Sequence, residues 1–208
     1  EYGLRARPRE TAAFDAPQIG TFLHFLLENV TRDVLAEGGF AAVEQEELHR
    51  LVRRYTERYV EQELHNFQNR NARFRYLFAR LRTTAYAVID QVAAELRCSD
   101  FVPMAFELSF GGKNGALSAV TISEPDGELR VGGKVDRVDG WLHDGRLYLR
   151  VVDYKSGRKS FDLANVRMGL DIQMLLYLFT LQKEGARYFG QEIEPAGVLY
   201  LPARDEIL

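Results

Sequence analysis

The sequence predicts a mixed α/β (α+β) fold, with a helical first half and a sheet-centred second half. Apolar residues recur at helical spacing before Pro103, whereas β-rich segments separated by Gly-Gly and Asp-Gly pairs follow it. An apolar helical segment and one more strand complete the pattern. We therefore expect a central mixed sheet, mostly antiparallel, flanked by helices and preceded by an N-terminal helical region.

Three helices are expected in the N-terminal part. The first begins near Asp15, which can cap it, and ends at Gly38 and Gly39, because glycine accepts the left-handed conformation that terminates helices. Its apolar stripe consists of Ile19, Phe22, Leu23, Leu26, Leu27, Val30 and Val34. Residues 41–97 predict two further, highly charged helices, with a break near residues 66–71.

The β-rich part predicts an antiparallel meander of about four strands, because Asp-Gly pairs between apolar runs are strong hairpin signals. The four segments are residues 105–110, 117–122, 129–138 and 147–154. A helix over residues 163–181, interrupted at Gly169 and apolar almost all round from Leu170 onward, should lie buried against the sheet. Since this helix leads to a last strand over residues 197–201, we expect a crossover and a partly parallel edge.

Composition excludes several classes of protein. We interpret residues 1–208 as one domain, with a helical part over residues 1–100 and a sheet-centred core over residues 101–208; the start at Glu1 without a methionine suggests a fragment of a longer protein. No apolar run reaches the roughly 18 residues that a membrane span needs, so no membrane partner is expected. The single cysteine, Cys98, rules out a disulfide within the chain and is compatible with the cytoplasm. We expect it to be packed.

The distribution of charge is more informative than its total. The net charge is −3, but residues 50–82 contain nine arginines against three acidic residues, a local net charge of +6. This segment is either a solvated helix face or a surface that faces phosphate groups, because arginine pairs with phosphate in a fixed fork. Arg73 is our candidate within it for contact with nucleic acid.

Two aspartates and a lysine form the strongest chemical pattern. Asp136 and Asp153 lie near the ends of two strands joined by the hairpin at residues 144–145, so we expect them to be neighbours, and Lys155 follows on the same strand face. Converging carboxylates repel each other unless a cation neutralises them, and oxygen ligands favour Mg²⁺ or Mn²⁺. With an ammonium group that can stabilise developing charge, the set suits phosphodiester hydrolysis. The alternative is two ion pairs, Asp153 with Lys155 and Asp136 with Arg137.

Two further features support a site. Residues 20–24 (GTFLH) place His24 beside the apolar stripe of the first helix, where a histidine can equally be structural. Gln173 and Tyr177 are four residues apart and share one helix face. A buried glutamine needs a hydrogen-bond partner, which a carboxylate, a DNA phosphate or a backbone carbonyl could supply.

Four motifs in order resemble the RecB-type branch of the PD-(D/E)xK nuclease superfamily, and within it the AddB-type nuclease domains of AddAB helicase–nuclease complexes. The motifs are GxxxH at residues 20–24, GxxDRxD at 133–139, VDYKSG at 152–157 and GLxxQxxxY at 169–177. The resemblance spans roughly residues 2–202. It implies a restriction-endonuclease-like core.

The resemblance also implies roles for the matching residues. His24, Asp136, Asp153 and the backbone carbonyl of Tyr154 are the implied metal ligands, and Lys155 is the implied catalytic lysine. Asp136 and Asp153 therefore also belong to the implied catalytic set with Lys155. The supporting pair Gln173 and Tyr177, near the scissile strand, completes this set. We expect this pair and Arg137 to contact nucleic acid. Glu107 lies where relatives often keep an acid, and we rank it lower.

The implied function is a Mg²⁺- or Mn²⁺-dependent deoxyribonuclease that degrades the 5′-terminated strand delivered by a helicase, in double-strand-break repair and recombination. The implied partners are DNA and an AddA-type helicase–nuclease subunit. Relatives also hold a [4Fe–4S] cluster, and its cysteines are expected outside this chain. Three alternatives remain: a stand-alone RecB-like exonuclease, a catalytically inactive DNA-binding or scaffold module, and a metal site that serves stability alone.

Overall fold

Six helices and six strands make up the described residues of the computed structural model, which are 16–63, 72–111, 115–124, 127–155, 162–170 and 172–202. In chain order the elements are α1 (Ala16–Ala36), α2 (Gln45–Glu63), α3 (Ala72–Arg97), β1 (Val102–Phe110), β2 (Val120–Glu124), β3 (Gly127–Val131), β4 (Gly133–His143), β5 (Arg146–Lys155), α4 (Leu163–Arg167), α5 (Gln173–Glu184), α6 (Ala186–Phe189) and β6 (Ile193–Pro202). Asp15 and residues 66–71, the expected cap and helix break, lie outside the described residues.

The first three helices form as the apolar spacing predicts. The stripe of α1 is almost entirely inaccessible to solvent, and Gly38 and Gly39 follow its end with φ angles of 102° and 95°. The apolar side chains of α1, α2 and α3 share one core, which extends to Val152, Tyr154 and Leu201 of the sheet. The helices therefore cover one face of β5 and β6.

The main sheet has the order β1-β4-β5-β6, with two antiparallel pairs followed by a parallel pair between β5 and β6. The mixed, mostly antiparallel sheet and its parallel edge are thereby confirmed. The parallel pair arises because the chain crosses over through α4, α5 and α6 before it enters β6.

The expected meander of four strands is wrong in one respect. The segment at residues 129–138 is divided at Gly132 into β3 and β4. β2 and β3 pair with each other in a separate two-stranded sheet, and β4 pairs with β1. Strands that are not consecutive along the chain are therefore neighbours in the main sheet, which brings β1 beside β4.

The second face of the sheet is covered by α5. Met174, Leu178 and Leu181 are buried with Leu149 and Val151 of β5, but Phe179 is 54% exposed. The prediction that this helix is buried against the sheet is confirmed, although only one side of it contacts the sheet.

Two further findings concern the predictions from composition. Cys98 is exposed just after α3, so the expectation that it is packed is wrong. Within the described ranges, no helix has the length and apolar character needed to cross a membrane.

Candidate active site

Three acidic residues lie level with one another on β1, β4 and β5. Glu107 is level with Asp136, because the residues on either side of Glu107 pair with those on either side of Asp136. The β4–β5 ladder ends at the pair Arg137 and Val152, so its register continues to Asp136 beside Asp153. The hairpin count from the sequence therefore places the two aspartates where the structure has them.

The first helix adds an imidazole to this row of acids. His24 Nδ1 lies 3.3 Å from Glu107 Oε1, and His24 Nε2 lies 3.5 Å from Asp136 Oδ2. One ligand atom from each of these three residues lies within 4.8 Å of the others. We call His24, Glu107 and Asp136 the acidic cluster. It is half-buried and is supported by three different elements.

Glu107, ranked low from the sequence, is central to the acidic cluster. Its φ angle is 50°, inside strand β1, a left-handed conformation that side chains other than glycine rarely adopt. Such a conformation costs on the order of 1–3 kcal/mol and persists only where surrounding contacts hold it. The contacts here are with His24 and Lys134, both of which reach its carboxylate.

Two lysines lie beside the acids. Lys155 Nζ lies 2.7 Å from Asp153 Oδ2, so the ion pair considered for these two residues is present. Lys134 Nζ contacts Glu107 Oε2, and the sequence reasoning missed it. The available signal was spacing: Lys134 precedes Asp136 by two residues on β4, which puts both on one strand face.

The pKa values in the cluster reflect burial and mutual charge. Burial raises the pKa of Asp136, although the charge of His24 and the backbone N–H of Tyr154 oppose this shift. For His24, burial lowers the pKa, but the hydrogen bond to Glu107 and the charge of Asp136 together raise it above the ordinary value. The hydrogen bond from His24, assisted by Lys134, lowers the pKa of Glu107. Asp136 is thus the acid of this cluster whose ionised form is disfavoured.

Tyr154 links the acidic cluster to the interior. Its backbone N–H donates to Asp136 Oδ2 at 2.9 Å, and its backbone also forms a hydrogen bond with His24. Its hydroxyl accepts from Arg137 Nη1 at 2.9 Å, and burial raises the pKa of Tyr154 to about 12. The predicted carbonyl ligand is therefore on a residue anchored at both its backbone and its side chain.

The structure corrects the prediction that Arg137 contacts nucleic acid. Its side chain is 0% exposed and forms an ion pair with Asp139, in which Nε lies 2.7 Å from Oδ1 and Nη2 donates to Oδ2 at 2.9 Å. Arg150 bonds the same carboxylate at 2.9 Å, and Glu95 of α3 contacts both arginines. We call Arg137, Asp139, Arg150 and Glu95 the buried network. This network connects α3 to the sheet. Arg137 pairs with Asp139 and Glu95, and these contacts take the place of the alternative ion pair between Asp136 and Arg137.

Gln173 and Tyr177 lie at the start of α5 and contact each other. Gln173 Nε2 donates to Tyr177 Oη at 2.5 Å, and the Tyr177 ring packs edge-on against Phe110 at 4.9 Å between centroids. The ring also lies on Gly133, where an added Cβ would come within 2.6 Å of the hydroxyl. A side chain larger than that of glycine at Gly133 would therefore require the Tyr177 ring to move. The side chain of Arg73 lies outside the described part of the structure.

These residues agree with a family described as the PD-(D/E)XK nuclease superfamily, whose model matches residues 1–208. The chain belongs to the PD-(D/E)XK nuclease superfamily. Its sheet, flanked by helices on both faces, is consistent with the fold of that superfamily.

Individual relatives match the full length of the chain. It is 32% identical over 209 residues to an ATP-dependent helicase/deoxyribonuclease subunit of Exiguobacterium sibiricum, a match that covers 100% of this chain and 18% of the relative. The corresponding subunits of Oceanobacillus iheyensis and Clostridium tetani, which have the same name, are 31% and 28% identical, with the same coverage of each chain. The chain thus spans about a fifth of the length of the curated relatives that it matches.

The donor set of the acidic cluster fits a divalent metal ion. Two carboxylates and one imidazole lie within 4.8 Å of one another, and burial disfavours the charge on Asp136 when no cation compensates it. Asp153 on the neighbouring strand and the backbone of Tyr154 lie next to this set. Hard oxygen donors of this kind suit Mg²⁺ or Mn²⁺.

Proposed function

We propose that this chain is the catalytic domain of a metal-dependent deoxyribonuclease that hydrolyses phosphodiester bonds in one strand of DNA. The observation that carries the proposal is the acidic cluster, with Asp153 and Lys155 on the adjoining strand. The word deoxyribonuclease in the names of the relatives supports DNA as the substrate.

The roles follow from the positions of the side chains. His24, Glu107 and Asp136 would hold the ion, with Asp153 and the Tyr154 carbonyl as the other ligands. When bound, a divalent ion supplies an acidified water and neutralises phosphate charge. The Lys155 ammonium, 35% exposed beside Asp153, would orient the attacking water and stabilise the charge on the phosphate.

The wider function is part of the same proposal. The relatives are named as subunits of an ATP-dependent helicase/deoxyribonuclease, which supports action together with a helicase. We propose a role in double-strand-break repair beside an AddA-type subunit in the cytoplasm. We propose exonuclease-type degradation of the 5′-terminated strand that the helicase delivers. In the whole protein we also expect the [4Fe–4S] cluster, held by cysteines other than Cys98.

Cleavage of end-labelled single-stranded DNA tests the proposal. The chain is incubated with Mg²⁺ or Mn²⁺, with EDTA in place of the metal, and as the variants Lys155→Ala and Lys183→Ala. Lys183 is an exposed lysine in the last turn of α5, so its loss controls for charge alone. We expect cleavage that EDTA and Lys155→Ala abolish and Lys183→Ala leaves intact.

Two further arms address the finer statements. Labels at the 5′ or the 3′ end report polarity, and an RNA strand of the same sequence reports the preference for DNA. If no cleavage occurs and calorimetry detects no binding of Mn²⁺, the catalytic proposal fails and the scaffold alternative takes its place. If Mn²⁺ binds but no cleavage occurs, and adding the helicase subunit restores cleavage, the missing step is delivery of the strand.

A further inference from the structure

A cleft of about 380 Å³ opens beside the start of α5. Five of the seven described residues that line it are aliphatic or aromatic, and the walls come from β3, α5 and β6. The lining residues are Val131, Gly132, Ile172, Gln173, Leu176, Tyr177 and Tyr200. This volume is at the lower end of the range of about 300–1,000 Å³ that small-molecule sites occupy, so the cleft suits a flat ring system of modest size.

The cleft lies next to the row of acids formed by Glu107, Asp136 and Asp153. Tyr200 of β6 is the register partner of Asp153 on β5, so the row of acids continues directly to this aromatic residue. On the other side, Gly132 precedes Gly133, on which Tyr177 lies, and β4 runs from there to Asp136. A strand whose phosphate lies at the acids therefore has its neighbouring nucleotides within reach of the cleft.

The chemistry of the walls matches a nucleobase better than a phosphate. The described residues that line the cleft include no lysine or arginine, the side chains that phosphate groups favour. They instead provide two tyrosines, three aliphatic side chains and the exposed amide of Gln173. That amide uses one N–H on Tyr177, which leaves a second N–H and its carbonyl oxygen for the edge of a base.

We infer that this cleft binds one unstacked nucleobase of a single-stranded substrate, close to the scissile phosphate, with Tyr200 as its aromatic wall. The inference rests on the proposed nuclease function and adds to it a site that holds one base of the substrate strand. A base inside a duplex is stacked and paired, so it cannot enter a pocket without leaving the helix. Stacking on aromatic side chains accepts every base, so the stacking contact selects single strands without selecting sequence.

Abasic scanning tests this site. A labelled single strand is prepared as a series in which one abasic nucleotide moves a position at a time across the first cleavage site. We measure kcat/KM with Mn²⁺ for the unmodified chain, for Tyr200→Leu and for Phe179→Leu. Phe179 is 54% exposed on α5 and is absent from the lining of the cleft, so its variant is the matched loss of an aromatic ring.

We expect the abasic position and the Tyr200→Leu variant to remove the same stacking contact, so that their effects on kcat/KM do not add. In the unmodified chain, one abasic position lowers kcat/KM by roughly five- to a hundredfold, the value of one stacked base. Tyr200→Leu lowers cleavage of the intact strand and removes the penalty for the abasic position, whereas Phe179→Leu preserves both values. Damage to the fold alone would lower cleavage of every substrate equally and leave the abasic penalty unchanged, which would overturn the inference.

The two proposals can fail separately. If the unmodified chain cleaves but no abasic position matters, the nuclease stands and the base site is refuted. If it does not cleave, the same series is measured by fluorescence anisotropy with Ca²⁺, and the abasic penalty on binding decides the inference alone. Should Tyr200→Leu fail to fold, Leu176→Trp replaces it; filling the cleft should reduce binding of the intact strand to that of the abasic strand.

Discussion

Consecutive residues of β4 belong to two charge clusters that are compensated in different ways. Asp136 lies in the acidic cluster, half-buried, with His24 3.5 Å away and the N–H of Tyr154 as its hydrogen-bond donor. Arg137 lies in the buried network, where two arginines face two acids and the guanidinium is 0% exposed. The first cluster favours an added cation, and the second is already neutral.

This difference separates the demands of function from those of the fold. Charges removed from water must be paired inside the protein, because an unpaired buried charge costs several kcal/mol. A site that binds a cation must instead retain carboxylate groups whose charge the protein leaves incompletely compensated. The raised pKa of Asp136, caused first by burial, reflects that condition.

The largest expected effect comes from Asp136→Asn. The amide keeps the shape of the side chain but removes the charge that holds the ion, so cleavage should fall by at least about 10³-fold, several kcal/mol of transition-state stabilisation. The free energy of unfolding in EDTA should stay the same or increase, because the variant removes a charge that burial disfavours. Cleavage assays and denaturant unfolding measure the two quantities.

The matched control is Asp100→Asn, at an exposed acid that follows α3. It should change neither quantity. If Asp136→Asn lowered the stability by about 3 kcal/mol in the absence of metal, Asp136 would be a structural charge like those of the buried network, and the contrast between the clusters would be lost.

The next largest effect is expected from Arg137→Met, which removes a charge of the buried network instead of one of the acidic cluster. Removing this guanidinium leaves Asp139 buried with one cationic partner, Arg150, so unfolding should become easier by about 3 kcal/mol, the lower end for a broken buried pair. The double variant with Asp139→Leu should recover part of that loss, because the orphaned charge is removed. Denaturant unfolding of the single and double variants gives the coupling. A loss below about 0.5 kcal/mol, typical of an exposed pair, would contradict a structural role.

The sequence predicted those features that local patterns determine. The apolar stripe of α1 and the glycines after it defined the first helix, and the Asp-Gly hairpin at residues 144–145 placed Asp136 beside Asp153. The resemblance to known nucleases supplied His24, which no spacing could have brought to the aspartates. The structure brings His24 close to Asp136, whereas the chemical roles of these residues stay predictions. The expected positions depended on neighbours along the chain or on a motif.

The remaining features depend on which strands pair. The position of Glu107 beside Asp136 was not predicted, because β1 pairs with β4 across the inserted β2–β3 hairpin, a choice that no local pattern encodes. Arg137 was assigned to DNA because its motif does not reveal which face of β4 it occupies. The position of Tyr200 beside Asp153 was not predicted, because this register follows from the parallel crossover. The positions that depend on pairing between distant strands are therefore the ones that the sequence did not predict.

The smallest expected effect is the pH dependence of metal binding. In the metal-free protein the pKa of Asp136 is raised by burial, and that of His24 is raised above its ordinary value of 6.5, mainly by Glu107 and Asp136 against the effect of burial. Since the ion binds the deprotonated groups, it must displace the proton of His24, and affinity should rise with pH, by at most about tenfold per unit for one proton. Titration calorimetry with Mn²⁺ between about pH 6 and pH 8 measures this slope.

The buried network should not contribute to the slope of metal affinity against pH. Burial lowers the pKa of Arg137, but the charges of Tyr154, Asp139 and Glu95 raise it above its ordinary value, so Arg137 stays charged. His24→Gln should flatten the slope. An unchanged slope in this variant would show that His24 is not the group from which the ion displaces a proton.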